Sequence, residues 1–217
     1  MIYYRPTDGD PHSSPFNYRP RTCFIMTQLG GPIPAEVARI REVLDSVFRA
    51  HDFDCIDATS VVTGKDFLLK IWELIVTVPV GVAIVHEEMS STTIGNIFYE
   101  LGLLQAYGKE TLIVKTRSAT IPSDFIRTEY VEAGSGLKER IERFCRSLQE
   151  RAEYHLFMAQ QVENNPLLAI DFLRRAYLLT GDTSLREPAR ELFEAAGLST
   201  RAKSSVESLL LNSFGRA

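Results

Sequence analysis

The residue best placed to do chemistry is Glu100, which stands inside the mostly apolar segment 94–103. Three apolar side chains share one face of the helix predicted there: Ile97, Leu101 and Leu104. Glu100 lies close to that buried face. A buried carboxylate without a partner is costly, so a Glu at this position needs either a partner or a function. The alternative is that Glu100 lies at the edge of the apolar stripe as a solvated residue.

Two other candidate sites follow predicted strands. Gly30 and Gly31 come after the first strand and lead into a helix that begins near Pro34. Glycine lets backbone amides approach an anion, and a helix N-terminus is electropositive, although such a pair can also form a simple tight turn. Asp57 ends the second strand, where it is either a ligand-binding carboxylate or a turn residue.

The elements that would position these residues alternate between strand and helix. Apolar strand-like runs are predicted at 22–27, 53–56, 80–85, 111–115 and 128–131, and helices are predicted from Pro34, over 65–76 and over 95–106. Short connections predict a doubly wound α/β sheet with right-handed crossovers. Ligands of such sheets bind outside the carboxyl ends of the strands, which is where the loops after each strand lie.

The chain is predicted to have three parts. Residues 1–21, rich in Pro, Asp, Gly and Ser, are expected to form a flexible arm, and residues 22–150 the α/β domain. A long helix over 136–161 leads into a helical tail over 151–217, with shorter helices up to Phe214. The tail is neutral and amphipathic, which favours self-association into a homo-oligomer.

Composition excludes several classes of partner. The 217 residues include 28 acidic and 24 basic side chains, a net charge of −4, which argues against binding long nucleic acid but not a single nucleotide. No apolar segment approaches the roughly 20 residues of a membrane-spanning helix. The three Cys are an odd number and two of them lie in apolar strand-like runs, so we expect reduced, buried thiols in a cytoplasmic protein. The Cys and the four His have no metal-ligand spacing, so we expect no metal site.

One segment resembles a known motif. The run NIFYELG at residues 96–102, followed by Gly108 and Lys109, resembles the N-x-x-Y-E-L-G…G-K motif of the nucleoside 2-deoxyribosyltransferase-like and TIR-like nucleotide-binding proteins. The resemblance covers about residues 22–116, and it implies a flavodoxin-like parallel sheet. Prokaryotic members often act in antiphage defence or signalling, so the resemblance implies such a role here.

The resemblance also implies a chemistry. Members cleave, exchange or recognise the N-glycosidic bond of nucleosides, nucleotides or NAD, which would be substrate or ligand rather than cofactor. Glu100 would be the catalytic nucleophile or would stabilise the ribosyl cation, because a fixed carboxylate near the anomeric carbon lowers that barrier. Asp57 would orient ribose, and Gly30 and Gly31 would contact phosphate.

Further substrate-binding residues are expected on or just before the motif helix: Ser91, Thr93, Asn96 and Tyr99. The hydroxyl groups could bind phosphate or sugar, or could cap the helix. Tyr99 could stack on a base or pack structurally.

The chain departs from the family pattern at residues 86–89, where HEEM stands in place of an Asp that many relatives carry soon after the third strand. We therefore predict a hydrolase of a nucleotide or NAD N-glycosidic bond rather than a transferase. The alternative that this departure favours is a non-catalytic sensor of a nucleotide or cyclic nucleotide. A third interpretation is an interaction scaffold built on the helical tail.

Overall fold

The computed structural model describes residues 3–6, 8–12, 16–60, 67–125, 130–197 and 213–214. The chain divides into two compact units. One unit is Thr22–Ser147, and the other combines Met1–Arg21 with Leu148–Ala217. The first unit is an α/β domain, and the second contains the C-terminal helices.

Five parallel strands form the sheet of the α/β unit: β1 (Thr22–Met26), β2 (Asp54–Asp57), β3 (Val80–Val85), β4 (Glu110–Lys115) and β5 (Tyr130–Glu132). Their order is β2-β1-β3-β4-β5. This is the flavodoxin-like order, so the predicted doubly wound fold is confirmed. All six residues of β3 are buried, as expected for a continuous apolar run covered on both faces.

Helices cover both faces of this sheet: α1 (Ala35–Ala50), α2 (Phe67–Thr77), α3 (Ser91–Ala106) and α4 (Leu137–Gln161). The apolar sides of α2 and α3 share one core with Phe24, Met26 and Val85 of the strands. We call this side of the sheet the α3 face. Since strand side chains alternate, the intervening residues point to the opposite side, the α1 face. There, Phe48 of α1 contacts Phe144 of α4, with ring centroids 6.4 Å apart.

The start of α3 differs from the expectation. Helix α3 begins at Ser91, four residues before the predicted start, because the Ser90 side chain caps it by accepting a hydrogen bond of 3.1 Å from the Thr93 amide. The described part of α2 begins at Phe67, so residues 65–66 of that predicted helix lie outside the described residues, as do residues 128–129 of the last predicted strand.

Leu104 of α3 packs directly against the sheet at Gly81. A Cβ atom at this position would lie 2.3 Å from Cδ1 of Leu104, which is completely buried. We therefore expect Gly81→Ala to lower the free energy of unfolding by about 1–3 kcal/mol, measured by urea denaturation. Gly95→Ala is the control, because no atom lies within 4 Å of a Cβ there, and it should gain about 1 kcal/mol from helix propensity. Equal stability of the two variants would contradict the prediction.

The second unit contains the end of α4 together with α5 (Pro166–Thr180) and α6 (Arg186–Ala195). Its buried apolar core consists of Ala159, Ile170, Leu173, Tyr177, Leu178, Ala189, Phe193 and Phe214. Of the last predicted helix, only residues 213–214 are described. None of the helices in the described ranges is both long enough and apolar enough to cross a membrane.

The described residues of the predicted N-terminal arm belong to this helical unit. Tyr3 and Phe16 are each only 5% exposed, and Tyr18 packs against the helical core. The Arg21 amide donates a hydrogen bond of 2.8 Å to the carbonyl of Leu178. The arm therefore groups with the tail rather than standing apart, because its aromatic side chains bury apolar surface there.

Arg174 of α5 lies where these aromatic residues meet. Its guanidinium donates a hydrogen bond of 2.7 Å to the Tyr18 hydroxyl and another to the Asp171 carboxylate. It also lies 5.3 Å from the centroid of the Tyr18 ring and 5.9 Å from that of Tyr3, within cation–π range. Burial opposes the charge, but Tyr18, Tyr3 and Asp171 together raise the pKa of Arg174.

Candidate functional site

Glu100 occupies a half-buried position on α3. Ile97, Leu101 and Leu104 bury the helix face beside it, as their spacing predicted. No hydrogen bond or ion pair joins its carboxylate to any other residue that the structure describes. Burial raises the pKa of Glu100 to about 7, so both protonation states are populated near neutral pH.

Two of the predicted binding residues share the flank of α3 that carries Glu100. Thr93 and Asn96 precede it by seven and four residues, which aligns all three along one side of the helix. The same flank continues to Tyr107, whose hydroxyl accepts a hydrogen bond of 2.8 Å from Nε1 of Trp72. The C-terminal end of this flank therefore contacts α2. Thr93, Asn96 and Glu100 form a polar line along the flank, and the carboxyl group of Glu100 has no partner among the described residues.

Glu100 lies nearer the carboxyl edge of the sheet than the deepest part of α3. Leu104 meets Gly81, near the opposite end of β3. Glu100 is one helical turn closer to the carboxyl edge, and helical side chains lean toward the helix N-terminus. Its carboxyl group is thus directed toward the edge where ligands of this fold bind.

The remaining candidates on α3 point elsewhere. Ser91 is exposed, and Tyr99, which is 55% exposed, is rotated about 100° from Glu100 around the helix axis. Thr93 also takes part in the cap, because its hydroxyl lies 2.9 Å from the Ser90 hydroxyl. Of the hydroxyl groups before the motif helix, those of Ser90 and Thr93 therefore form its N-terminal cap.

Asp57 lies at the end of β2 and belongs to the α1 face. One carboxylate oxygen lies 3.0 Å from Nη1 of Arg41 on α1, and the other accepts hydrogen bonds from the amide and hydroxyl of Thr59. Burial alone would raise its pKa, but Thr59 and Arg41 hold the pKa of Asp57 below its usual value. The two predicted catalytic carboxyl groups thus lie on opposite faces, and a shared ligand would have to cross the carboxyl edge.

The glycine pair forms an exposed turn before α1. Gly30 and Gly31 have φ angles of 78° and 75°, which only glycine adopts without strain. Gln28 braces the turn by donating a hydrogen bond of 3.1 Å to the Gly30 carbonyl. At the helix start, Pro34 provides no side-chain cap. The first-turn amides of α1 therefore lack a side-chain acceptor at the capping position.

Two polar residues that the sequence analysis did not select lie at the ends of the central strands. His86 follows β3 and is 3% exposed, and Thr27 follows β1. Neither ring nitrogen of His86, nor the hydroxyl of Thr27, has a hydrogen-bond partner within the described ranges. The available signal was a polar residue directly after a buried strand. The neighbouring Glu87 is exposed and accepts a hydrogen bond from the Thr116 hydroxyl, which lowers the pKa of Glu87.

Comparisons with known proteins assign the chain to no family. No protein-family model matches the chain, and no curated protein sequence does so either. In the described ranges, no three His, Cys, Asp or Glu side chains are arranged to hold a metal ion. The molecule is therefore defined as a flavodoxin-like α/β unit with a second, helical unit, and the resemblance of residues 96–102 stays a prediction.

Proposed function

We propose that the protein hydrolyses the N-glycosidic bond of a nucleotide or of NAD, with Glu100 as the catalytic carboxyl group. The observation that carries this proposal is a half-buried carboxyl group with no partner among the described residues and a pKa of about 7. Such a group is unfavourable when ionised in the free protein. A cationic sugar supplies the missing positive charge, so the stabilisation is largest in the transition state.

The reaction breaks the bond between C1′ of the sugar and the base nitrogen, and the base leaves with the electron pair. Ionised Glu100 stabilises the resulting oxocarbenium ion or bonds to it transiently. Water then supplies the hydroxyl group at C1′. The remaining proton of this water goes to the departing base, or to solvent when the base leaves as neutral nicotinamide. In this proposal Thr93 and Asn96, on the same flank, bind sugar hydroxyl groups.

A second candidate function is recognition of a nucleotide without turnover. The observation that favours it is the position of Asp57, which is paired with Arg41 on the opposite face. Asp57 would orient ribose only in a ligand that spans the carboxyl edge. A site that holds one free carboxyl group can bind a nucleotide without completing hydrolysis.

Incubation of the full chain with NAD and a panel of 5′-mononucleotides, with free base measured by chromatography, tests the proposal. Since ionised Glu100 is the active form, kcat/KM should rise about tenfold per pH unit below pH 7 and level off above it. A rate that falls over this range would show that the protonated form acts instead. If calorimetry shows tight nucleotide binding and no base is released at any pH, the protein is a nucleotide sensor and not a hydrolase.

A further inference from the structure

The order of the strands reverses between β1 and β3, and ligands of doubly wound sheets bind outside the carboxyl ends at that point. Thr27 and His86 are the residues that directly follow these two strands. Only 3% of His86 is exposed to solvent, and both of its ring nitrogens lack a hydrogen-bond partner in the described part of the chain. The buried hydroxyl of Thr27 lacks one as well.

The pattern of the two strands directs both side chains toward the α1 face. Met26 and Val85 end their strands in the core of the α3 face, and alternation continued by one residue turns Thr27 and His86 to the other side. The two strands are hydrogen-bonded neighbours, with Met26 opposite Ala83. Two buried polar groups without partners are thus brought to one side of the sheet, at the strand reversal.

Helix α1 begins on the same face. It has 16 residues, and Pro34 at its N-cap provides no side-chain acceptor for the first-turn amides. Helix N-terminal amides and their dipole favour an anion. Three carboxylates lie nearby in the chain or on this face. Glu36 is exposed in the first turn of α1, and Asp57 is neutralised by Arg41 at 3.0 Å. Glu87, next to His86, is exposed and accepts a hydrogen bond from the Thr116 hydroxyl.

We propose that Thr27, His86 and the first-turn amides of α1 bind a phosphate group. An imidazole N–H, a hydroxyl and backbone amides are all donors, and phosphate oxygens are strong acceptors that satisfy several donors at once. Bound phosphate would thereby give partners to buried groups that are costly to leave unpaired. This inference rests on the proposed function only in taking the phosphate to be that of a nucleotide.

Thermal unfolding of the full chain with inorganic phosphate, AMP or adenosine tests this site. Phosphate and AMP should raise the unfolding midpoint of the wild type. Thr27→Val, which keeps the side-chain shape, and His86→Leu should each weaken the apparent affinity for AMP at least about tenfold. Their response to adenosine should equal that of the wild type. The matched control is His51→Gln at the other end of α1, which should bind AMP as the wild type does.

Wild-type affinity for AMP in a folded Thr27→Val variant would overturn the proposal, as would a wild type that responds to neither phosphate nor AMP. Because Thr27→Val removes only a hydroxyl, the test survives if His86→Leu fails to fold. Base release is measured separately. If these residues bind phosphate but the protein releases no base, only the proposed hydrolase activity is contradicted. If the protein releases base but both variants bind AMP as the wild type does, only the proposed phosphate site is contradicted.

Discussion

Glu100→Gln is expected to lower base release by a factor of at least about 100, while it raises the stability of the protein above pH 7. Gln keeps the shape of Glu but carries no charge, so it cannot stabilise a cationic sugar or bond to it. Turnover falls because the removed interaction exists mainly in the transition state. Nucleotide binding, measured by calorimetry, should change much less than turnover, which separates a catalytic role from a purely binding one.

The gain in stability follows from the raised pKa of Glu100. Its pKa is about 7 in the fold against 4.5 for an unperturbed Glu, so the fold disfavours the ionised form. Below about pH 4.5 Glu100 is protonated in both the folded and unfolded states and costs nothing. As pH rises through 7 the penalty grows to about 3 kcal/mol. Urea denaturation should therefore show little difference between Glu100→Gln and wild type near pH 4, and a clear advantage of the variant at pH 8.

The control for this pair of measurements is Glu42→Gln. Glu42 is exposed on α1, so the same loss of charge should leave turnover and stability unchanged at both pH values. If Glu100→Gln releases base at the wild-type rate, Glu100 is not the catalytic carboxyl group. A stability gain of equal size at pH 4 and pH 8 would show that the effect does not come from ionisation.

Arg174→Met is expected to destabilise the helical unit by about 3–5 kcal/mol, because it removes one partner of a buried charge network. The Arg174 side chain is only 13% exposed. Without it, the Tyr18 hydroxyl loses one of its hydrogen bonds, whereas Asp171 keeps Arg175, whose Nε lies 2.9 Å from the carboxylate. The loss should appear as a lower urea midpoint followed by tyrosine fluorescence.

Arg190→Met is the matched control on α6. Arg190 also forms ion pairs, with Glu187 and Glu194, but its side chain is 57% exposed. Exposed pairs contribute little, so its removal should leave the midpoint in place. A midpoint for Arg174→Met that matches this control would show that the arm is not held by the buried guanidinium.

Periodicity in the sequence was enough to predict the sheet. The continuous apolar run at 80–85 is confirmed as β3, a strand that is covered on both faces and buries all six of its residues. The start of α3 was placed too late, because the decisive contact is one hydrogen bond between the Ser90 side chain and the Thr93 amide. Several polar residues in succession offered competing caps, and composition alone does not choose among them.

The spacing of apolar residues also indicated the burial of Glu100. It could not show that Asp57 belongs to the other face. The face depends on which residues of β2 pair with β1, because a register shift of one residue moves every side chain of a strand to the opposite face of the sheet. In the structure Asp57 lies opposite Ile25, and it meets Arg41 of α1. For the same reason, the convergence of Thr27 and His86 on one face becomes visible only once the strands are paired.

The union of the N-terminal arm with the C-terminal helices has a consequence for the order of events during synthesis. Tyr18 and Arg174 are 156 residues apart in the chain, yet they are hydrogen-bonded. At about 5–20 residues per second, the ribosome needs about 8–30 s after Tyr18 to make its partner. The α/β unit, which is continuous in sequence, can fold within that interval. The aromatic side chains of the arm therefore stay exposed to water until Arg174 and its neighbours on α5 have been synthesised.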